Sequence, residues 1–429
     1  MKFIPFKRFV QSRKGGAWGQ DAGKDEVDVS CVRVADFEYD KLTSKKILST
    51  IRSIPARQYK NIKLNKGDIL IEKSGGGETT LVGRAISFDQ EIDTICSNFI
   101  ERIEIKTNKL EPKFACYILA SAYSNKINAS CIKQTTGIQN LDVDAYLSSV
   151  LVPDIPKEKQ RRIVDFLESK IKDISDSIFK KRVCLQKFSE YRQSLITQAV
   201  TKGLDPNAEM KDSGVEWIGK IPAHWKVARV GVLFKLSNGL STGGEKFGSC
   251  YPFVSYGDVY RNLVLPELGS GLVLSTEEER VSYSVRRGDV FFTRTSETVE
   301  EIGIASTCLK TIENATFAGF LIKARPTEKV LVPEFSSFYF RSNCHRPFFI
   351  RKMNLVTRAS LSQSLLSKLP VLIPPLEEQK QIYDHLSKIN SKVDNLTSMI
   401  SSSIEKLQEY RSSLITAAVT GKIDINEVK

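Results

Sequence analysis

Histidine, paired cysteines and long apolar runs are what this sequence of 429 residues has least of. Its three histidines, His224, His345 and His385, lie far apart, and no sequence context places any of them as a catalytic base. Only His345 adjoins a cysteine, Cys344, and chain neighbours rarely converge on one metal. The eight cysteines, Cys31, Cys96, Cys116, Cys131, Cys184, Cys250, Cys308 and Cys344, include no C-x-x-C pair. That argues against a zinc site, and they read as reduced, mostly buried small hydrophobes. No apolar run approaches the roughly 20 residues of a membrane span, and Met1–Lys7 lacks a signal-peptide core, so a cytoplasmic protein without membrane association is expected.

Catalytic signatures are missing as well. There is no G-x-x-x-x-G-K-[ST] phosphate loop, and Gly75-Gly76-Gly77, lacking the lysine, reads as a flexible tip. Amino-methyltransferases hold the target amine with an Asn-Pro-Pro-aromatic or Asp-Pro-Pro-aromatic segment. Here Ile373-Pro374-Pro375-Leu376 offers no side chain to bond an amine. One nuclease-like pattern, Pro153-Asp154 with Glu168-Ser169-Lys170, fails on context, because Glu168 and Lys170 fall on a helical run where a strand is needed. The expectation is a chain with no catalytic residue, no metal and no cofactor of its own.

What the sequence has in excess is positive charge. Lys and Arg number 63 against 50 Asp and Glu, a net +13 with a pI near 9.2, which suits a polyanionic partner, nucleic acid or an anionic membrane. The length allows two or three domains with sizeable cores.

An internal repeat governs the organisation. The stretch Glu190-Tyr191-Arg192-Gln193-Ser194-Leu195-Ile196-Thr197-Gln198-Ala199-Val200-Thr201 recurs as Glu409-Tyr410-Arg411-Ser412-Ser413-Leu414-Ile415-Thr416-Ala417-Ala418-Val419-Thr420, identical at ten of twelve positions and offset by 219. The same offset carries Pro156, Glu158, Gln160, Ile163, Asp165 and Leu167 onto Pro375, Glu377, Gln379, Ile382, Asp384 and Leu386. Each copy starts after a proline, contains no Pro or Gly and ends near Gly203 or Gly421, which predicts a long helix. Ile389, Val393, Leu396, Ile400, Ile404, Leu407, Tyr410 and Leu414 form a coiled-coil-like stripe on the second, and Leu167, Ile171, Ile174, Ile178, Leu185, Phe188 and Leu195 a similar one on the first. An ordinary core-facing helix is the plainer reading of such a stripe. Against it, roughly 45 residues at about 1.5 Å each make a rod near 68 Å, longer than a small domain is wide, and two such rods can pack on each other.

Before each helix lies a more divergent stretch of mixed composition. Asp68–Glu72, Asn98–Ile105, Val290–Phe292 and Phe317–Lys323 read as strands, and Phe114–Ser124 and Glu334–Ser342 as short helices. The predicted unit is an α+β globule followed by a rod, occurring twice, with Lys202–Asn207 as a turn-rich hinge. Lys66-Gly67-Asp68 matches Arg287-Gly288-Asp289, and each leads through a strand into a polar tip, Lys73–Thr80 or Thr293–Thr298. A second pair of tips is Thr135–Asn140 and Leu355–Ser360. Arg and Gln are the side chains best able to bond guanine and adenine edges, while Ser, Thr and Lys reach phosphates or bases. The DNA-contact candidates are therefore Lys73, Ser74, Thr79, Lys133, Thr136 and Gln139 in the first copy. Those in the second are Arg294, Thr295, Ser296, Arg351, Lys352, Thr357, Arg358 and Ser360. Arg341, His345, Arg346, Arg351, Lys352 and Arg358 also surround Phe348 and Phe349, a basic and aromatic stretch of the kind phosphate-binding surfaces use, although a solvated helix face reads the same way.

The repeated helices, each launched by Pro-x-x-x-Gln and ending in Glu-Tyr-Arg-x-Ser-Leu-Ile-Thr-x-Ala-Val-Thr, resemble those of the specificity subunit of Type I restriction-modification systems. The run Gly214–Trp225, with Ile221-Pro222-Ala223-His224-Trp225, is similar to that family's opening of its second recognition domain, and the N-terminus has no equivalent. The resemblance implies a first target recognition domain over 1–155, a central helix over 156–202, a second recognition domain over 203–374, a C-terminal helix over 375–421 and a tail over 422–429. It implies that each domain reads one half of an interrupted site in double-stranded DNA, and that the two helices pack antiparallel as a coiled coil and set the gap. Two methyltransferase subunits carrying S-adenosylmethionine would dock on the chain to methylate adenines, and restriction/translocase subunits would join for cleavage. Glu190, Tyr191, Arg192, Leu195, Glu409, Tyr410, Arg411 and Leu414 are then the residues for partner docking or helix packing. Two alternatives stay open, a stand-alone DNA-binding regulator with two linked reading heads and a coiled-coil scaffold.

Overall fold

The structure is a computed structural model describing residues 2–77, 80–135, 137–296, 298, 301–352 and 359–423. Two long helices run from Lys157 to Lys202 and from Leu376 to Val419. Their ends follow from sequence: Pro156 and Pro375 precede the first turns, and Gly203 and Gly421 each adopt φ +73° just beyond the last. That left-handed conformation lets Gly203 N donate to Ala199 O at 3.1 Å and Gly421 N to Ala418 O at 3.3 Å, closing carbonyls a helix end leaves open.

The chain folds into two compact units, one taking the described residues up to Val183 together with those from Ile400 onward, the other Cys184–Met399. This division cuts across the serial boundaries read from the sequence, because each long helix gives its first half to one unit and its second half to the other.

In the first unit a six-stranded sheet has the order Val10–Gly15, Ile100–Ile105, Ile69–Glu72, Ala85–Ser87, Thr43–Ser44, Phe37–Glu38. The strand Ile69–Glu72 is apolar on both faces for a reason: Ile69 and Ile71 join the core under the helix Pro112–Ser124, while Leu70 joins a second cluster with Phe37, Ile86 and Phe88. The second unit repeats the first four positions of that order with Phe234–Asn238, Leu321–Pro326, Val290–Thr293 and Ala305–Thr307. Again the strand alternates, Val290 and Phe292 facing the core under the helix Pro333–Arg341 and Phe291 facing a cluster with Phe253 and Phe317. The expected strand Phe317–Lys323 is split. Thr316–Phe317 pairs with Phe247–Val254, a turn follows through Gly319, and Leu321–Pro326 joins the other sheet.

The larger core of each unit includes both long helices. In the first unit Ile163, Leu167, Ile171, Ile174 and Ile178 pack with Leu414, Ile415, Ala418 and Val419. In the second Ile382 and Leu386 pack with Ile196, Ala199 and Val200, and Arg192 pairs with Asp394 at 2.6 Å. The start of one helix thus lies beside the end of the other in both units, which is antiparallel pairing. Leu396 and Tyr410, assigned to the apolar stripe, are 42% and 56% exposed. Each follows the preceding stripe residue by three positions, about 60° short of a full turn, and so falls at the stripe's edge.

The Pro-x-x-x-Gln launch has a structural explanation. Gln160 is buried, its Oε1 accepting from Glu111 N at 2.9 Å and its Nε2 donating to Lys109 O and Ile155 O. Gln379 repeats this with Val332 N at 2.7 Å and the carbonyls of Val330 and Pro374. Glu111 and Val332 are the N-caps of the two domain helices, neither of which has a side-chain cap, so one glutamine satisfies an otherwise open amide and ties domain to rod.

Candidate nucleic-acid interface

The candidate interface is built twice on the same frame. Gly67 and Gly288, at φ +94° and +92°, occupy turns that L side chains rarely enter. Asp68 and Asp289 brace those turns: Asp68 accepts from Asn65 N and from Arg102 Nε, both at 2.6 Å, and Asp289 accepts from Arg286 N and from Arg325. Burial raises the Asp68 carboxyl above its ordinary range, with Arg102 opposing it.

From each turn the strand runs into a tip held by a common set of backbone bonds. Lys73 N donates to Phe99 O at 2.9 Å and Lys73 O accepts from Leu141 N at 2.8 Å, while Arg294 N donates to Phe320 O at 3.0 Å and Arg294 O accepts from Leu361 N at 2.7 Å. Ser74–Gly75 then pairs antiparallel with the strand Ile138–Leu141, and Thr295–Ser296 with Ala359–Ser360. The described parts of the two tips expected in each copy are therefore paired within each unit, Ser74 facing Asn140 and Thr295 facing Ser360.

The side chains differ. Ser74 Oγ donates to Asn140 Oδ1 at 2.7 Å, and Lys133 is exposed, with Asp142 at 4.0 Å. Ser296 Oγ donates to Glu301 Oε2 at 2.7 Å, and Tyr260 donates to the other oxygen, bonds that hold the Glu301 carboxyl below its ordinary value. The Arg294 side chain has no partner among the described residues. Thr79, Thr136, Thr357 and Arg358 lie outside the described residues, as does the side chain of Lys352.

Gln139, read from the sequence as an adenine-bonding side chain, is buried. Its Oε1 accepts from Val82 N at 3.1 Å and its Nε2 donates to Gly77 O at 2.9 Å, so the amide braces the tip from below. At 4% exposure the side chain lies beneath the tip and not on its surface. The glycine tip is correspondingly tucked in, since a Cβ on Gly76 would meet Gln139 Oε1 at 2.8 Å.

The basic and aromatic stretch before Lys352 is largely interior. Arg341 donates to the carbonyls of Val259, Tyr260, Asn262 and Ala305, and burial lowers its pKa. His345 is buried against Tyr339 O at 3.0 Å, its pKa pushed down to about 3, and Phe348 and Phe349 are core residues. Arg341, bonded to four carbonyls, and the neutral His345 therefore brace the interior beside the two buried rings and do not offer a phosphate surface. Arg351 does face solvent, paired at 2.6 Å with the exposed Glu216, a surface contact worth at most about 1 kcal/mol and easily exchanged for a phosphate.

On the long helices Tyr191 and Tyr410 are 57% and 56% exposed, and Glu190 and Glu409 are exposed beside them. Leu414 is buried and Leu195 half-buried, while Arg192 pairs with Asp394 and Arg411 with Asp40. A staple that went unread in the sequence joins the second domain to its rod: His224 Nε2 and Trp225 Nε1 lie 2.7 and 3.0 Å from Glu378 Oε2, with Trp225 fully buried. The repeat offset places Lys159 where Glu378 stands, so the first copy lacks both halves of this staple. All eight cysteines are free, six of them buried, with Cys184 half-buried and Cys250 exposed. Among the described residues no helix is long and apolar enough to cross a membrane.

The model of the Type I restriction modification DNA specificity domain matches this chain twice, over residues 10–181 and 222–406. The chain belongs to that family. The two matched stretches follow the internal repeat, so this specificity-domain chain holds two copies of the family's domain. Among curated relatives, the Type I restriction enzyme EcoKI specificity subunit of Escherichia coli (strain K12) is 23% identical over 372 residues, covering 84% of this chain and 76% of that one. The Type I restriction enzyme MjaVIII specificity subunit of Methanocaldococcus jannaschii is 22% identical over 400 residues, covering 86% and 82%. A solved chain from a study of complex assembly and conformational transition in the type I R-M system superposes with a TM-score of 0.71 at 16% identity, covering 98% of both chains. The HsdS subunit of Thermoanaerobacter tengcongensis gives 0.50 at 16% identity, covering 98% of this chain and 97% of that one. These structures share the fold, two α+β domains with long helices.

Proposed function

We propose that this chain is the DNA specificity subunit of a Type I restriction-modification complex, each unit reading one half of a bipartite site in double-stranded DNA. The observation that carries this is the duplicated tip: one backbone frame holds Lys73, Ser74 and Asn140 in one unit and Arg294, Thr295 and Ser360 in the other. A shared frame with different side chains suits two readers of different sequences. Basic side chains at and near the tips supply phosphate affinity. Family membership favours this over a stand-alone regulator.

The chain supplies the address, and the chemistry belongs to partners. Two methyltransferase subunits holding S-adenosylmethionine dock on the rods, where the repeated and exposed Glu190-Tyr191 and Glu409-Tyr410 offer each the same contact. Restriction/translocase subunits join for cleavage, and the complex works in the cytoplasm.

Co-expression of the chain with its methyltransferase partner, followed by genome-wide mapping of methylated adenines, tests the proposal. The expected result is one interrupted motif, methylated only when both chains are present. Methylation without this chain, or its absence with both, refutes it.

A further inference from the structure

Phe99 and Phe320 are separated by the 221 residues that superpose the two tip frames, and both stand outside the apolar cores. Each closes a turn at the same place, where Ile100 N donates to Ser97 O and Leu321 N to Ala318 O, both at 3.0 Å. The next residue, Ile100 or Leu321, is fully buried and fixes the strand register, so each ring points away from the core, 43% and 65% exposed. The carbonyls of the two phenylalanines also hold the tips, accepting from Lys73 N and Arg294 N. The turns around them have diverged, Ser97-Asn98 in one and Ala318-Gly319 in the other, and so have the tips.

A turn of this kind needs no aromatic residue, and an exposed ring has a solubility cost. Its presence in both units, each time joined to a tip led by Lys73 or Arg294, points to a task shared by two readers and indifferent to the bases they read. A ring face satisfies that condition, because every base offers a π-face and an apolar wedge at a base step needs no particular hydrogen bond. We propose that Phe99 and Phe320 are DNA-contacting wedges, each pressing its ring against an unstacked base step beside its own tip. The inference rests on the specificity-subunit reading and adds to it a contact that anchors without specifying.

The test uses the full chain assembled with its methyltransferase partners and duplexes carrying the mapped site, with 2-aminopurine placed in turn along each half. The wild-type complex raises fluorescence at one step in each half. Phe99→Ala abolishes the rise in one half only and Phe320→Ala in the other, with affinity falling about tenfold or more and both half-site sequences unchanged. Phe→Trp at either position preserves the rise, and melting temperatures stay at the wild-type value because both rings are exposed. Alanine variants that bind and unstack like wild type overturn the proposal, as do variants that lose partner assembly while keeping DNA affinity, which would assign the rings to a protein interface. A wild-type complex with no preferred duplex would instead bring down the specificity reading, before any substitution is made.

Discussion

Glu72 shows how the frame beneath a tip is tuned at the level of one side chain. It ends the strand leading to Lys73, is buried, and its Oε2 has no hydrogen-bond partner among the described residues. Burial pushes its carboxyl up to about 7, opposed by Arg84, which is itself stacked on Tyr39 at 4.4 Å. A carboxyl whose folded pKa lies above its unfolded one favours the neutral form in the fold. Its contribution is complete below about 4.5 and is lost as pH rises through about 7. Glu72→Gln therefore stabilises the protein at pH 8, by up to about 3 kcal/mol, and has little effect at pH 4.5. Thermal melts of both proteins at the two pH values check this; equal shifts at both would show that the carboxyl is already ionised in the fold. Two arginines of the second unit, Arg351 and Arg294, separate positioning from reading. Arg351→Ala should weaken binding to every duplex and reduce the salt slope by about one, whereas Arg294→Ala should change preference within one half-site. Titrations over a salt series distinguish them, and identical effects would contradict the assignment. The sequence could not separate Gln139 from a base-reading glutamine, because the chemistry is the same and only its burial beneath the tip decides which partners it meets.

Among the elements, the long helices were the most legible in the sequence, since a run free of Pro and Gly with a recurring apolar stripe between Pro156 and Gly203, or Pro375 and Gly421, leaves few alternatives. The central strands were legible too, as short β-branched or aromatic runs. The exchange of helix halves between the units was not, because nothing local encodes which part of a second helix, some two hundred residues away, will cover Ile171 or Val200. Nor did composition separate the exposed Arg351 from the interior Arg341, seven residues before the first buried ring, Phe348, since charge alone does not report which carbonyls lie within reach. The glutamine at the start of each rod gives the strongest prediction at this scale. Gln160→Leu leaves Glu111 N and the carbonyls of Lys109 and Ile155 without partners and should cost about 2–4 kcal/mol; Gln379→Leu should cost a similar amount in the other unit. Denaturant unfolding of the full chain measures both, and a loss below about 0.5 kcal/mol would mean that the amides find other partners.

At the scale of the whole molecule the governing fact is duplication: two family domains, two rods and two tips on one frame, with side chains that agree in the frame and differ at the tips. On the proposed function each unit reads its own half of the site independently. This independence is tested most directly by replacing residues 203–374 with the matching segment of another family member and mapping methylated adenines across a genome in the presence of the partner subunits. The expected motif has one half replaced and the other half retained. A motif changed in both halves, or in neither, would contradict it.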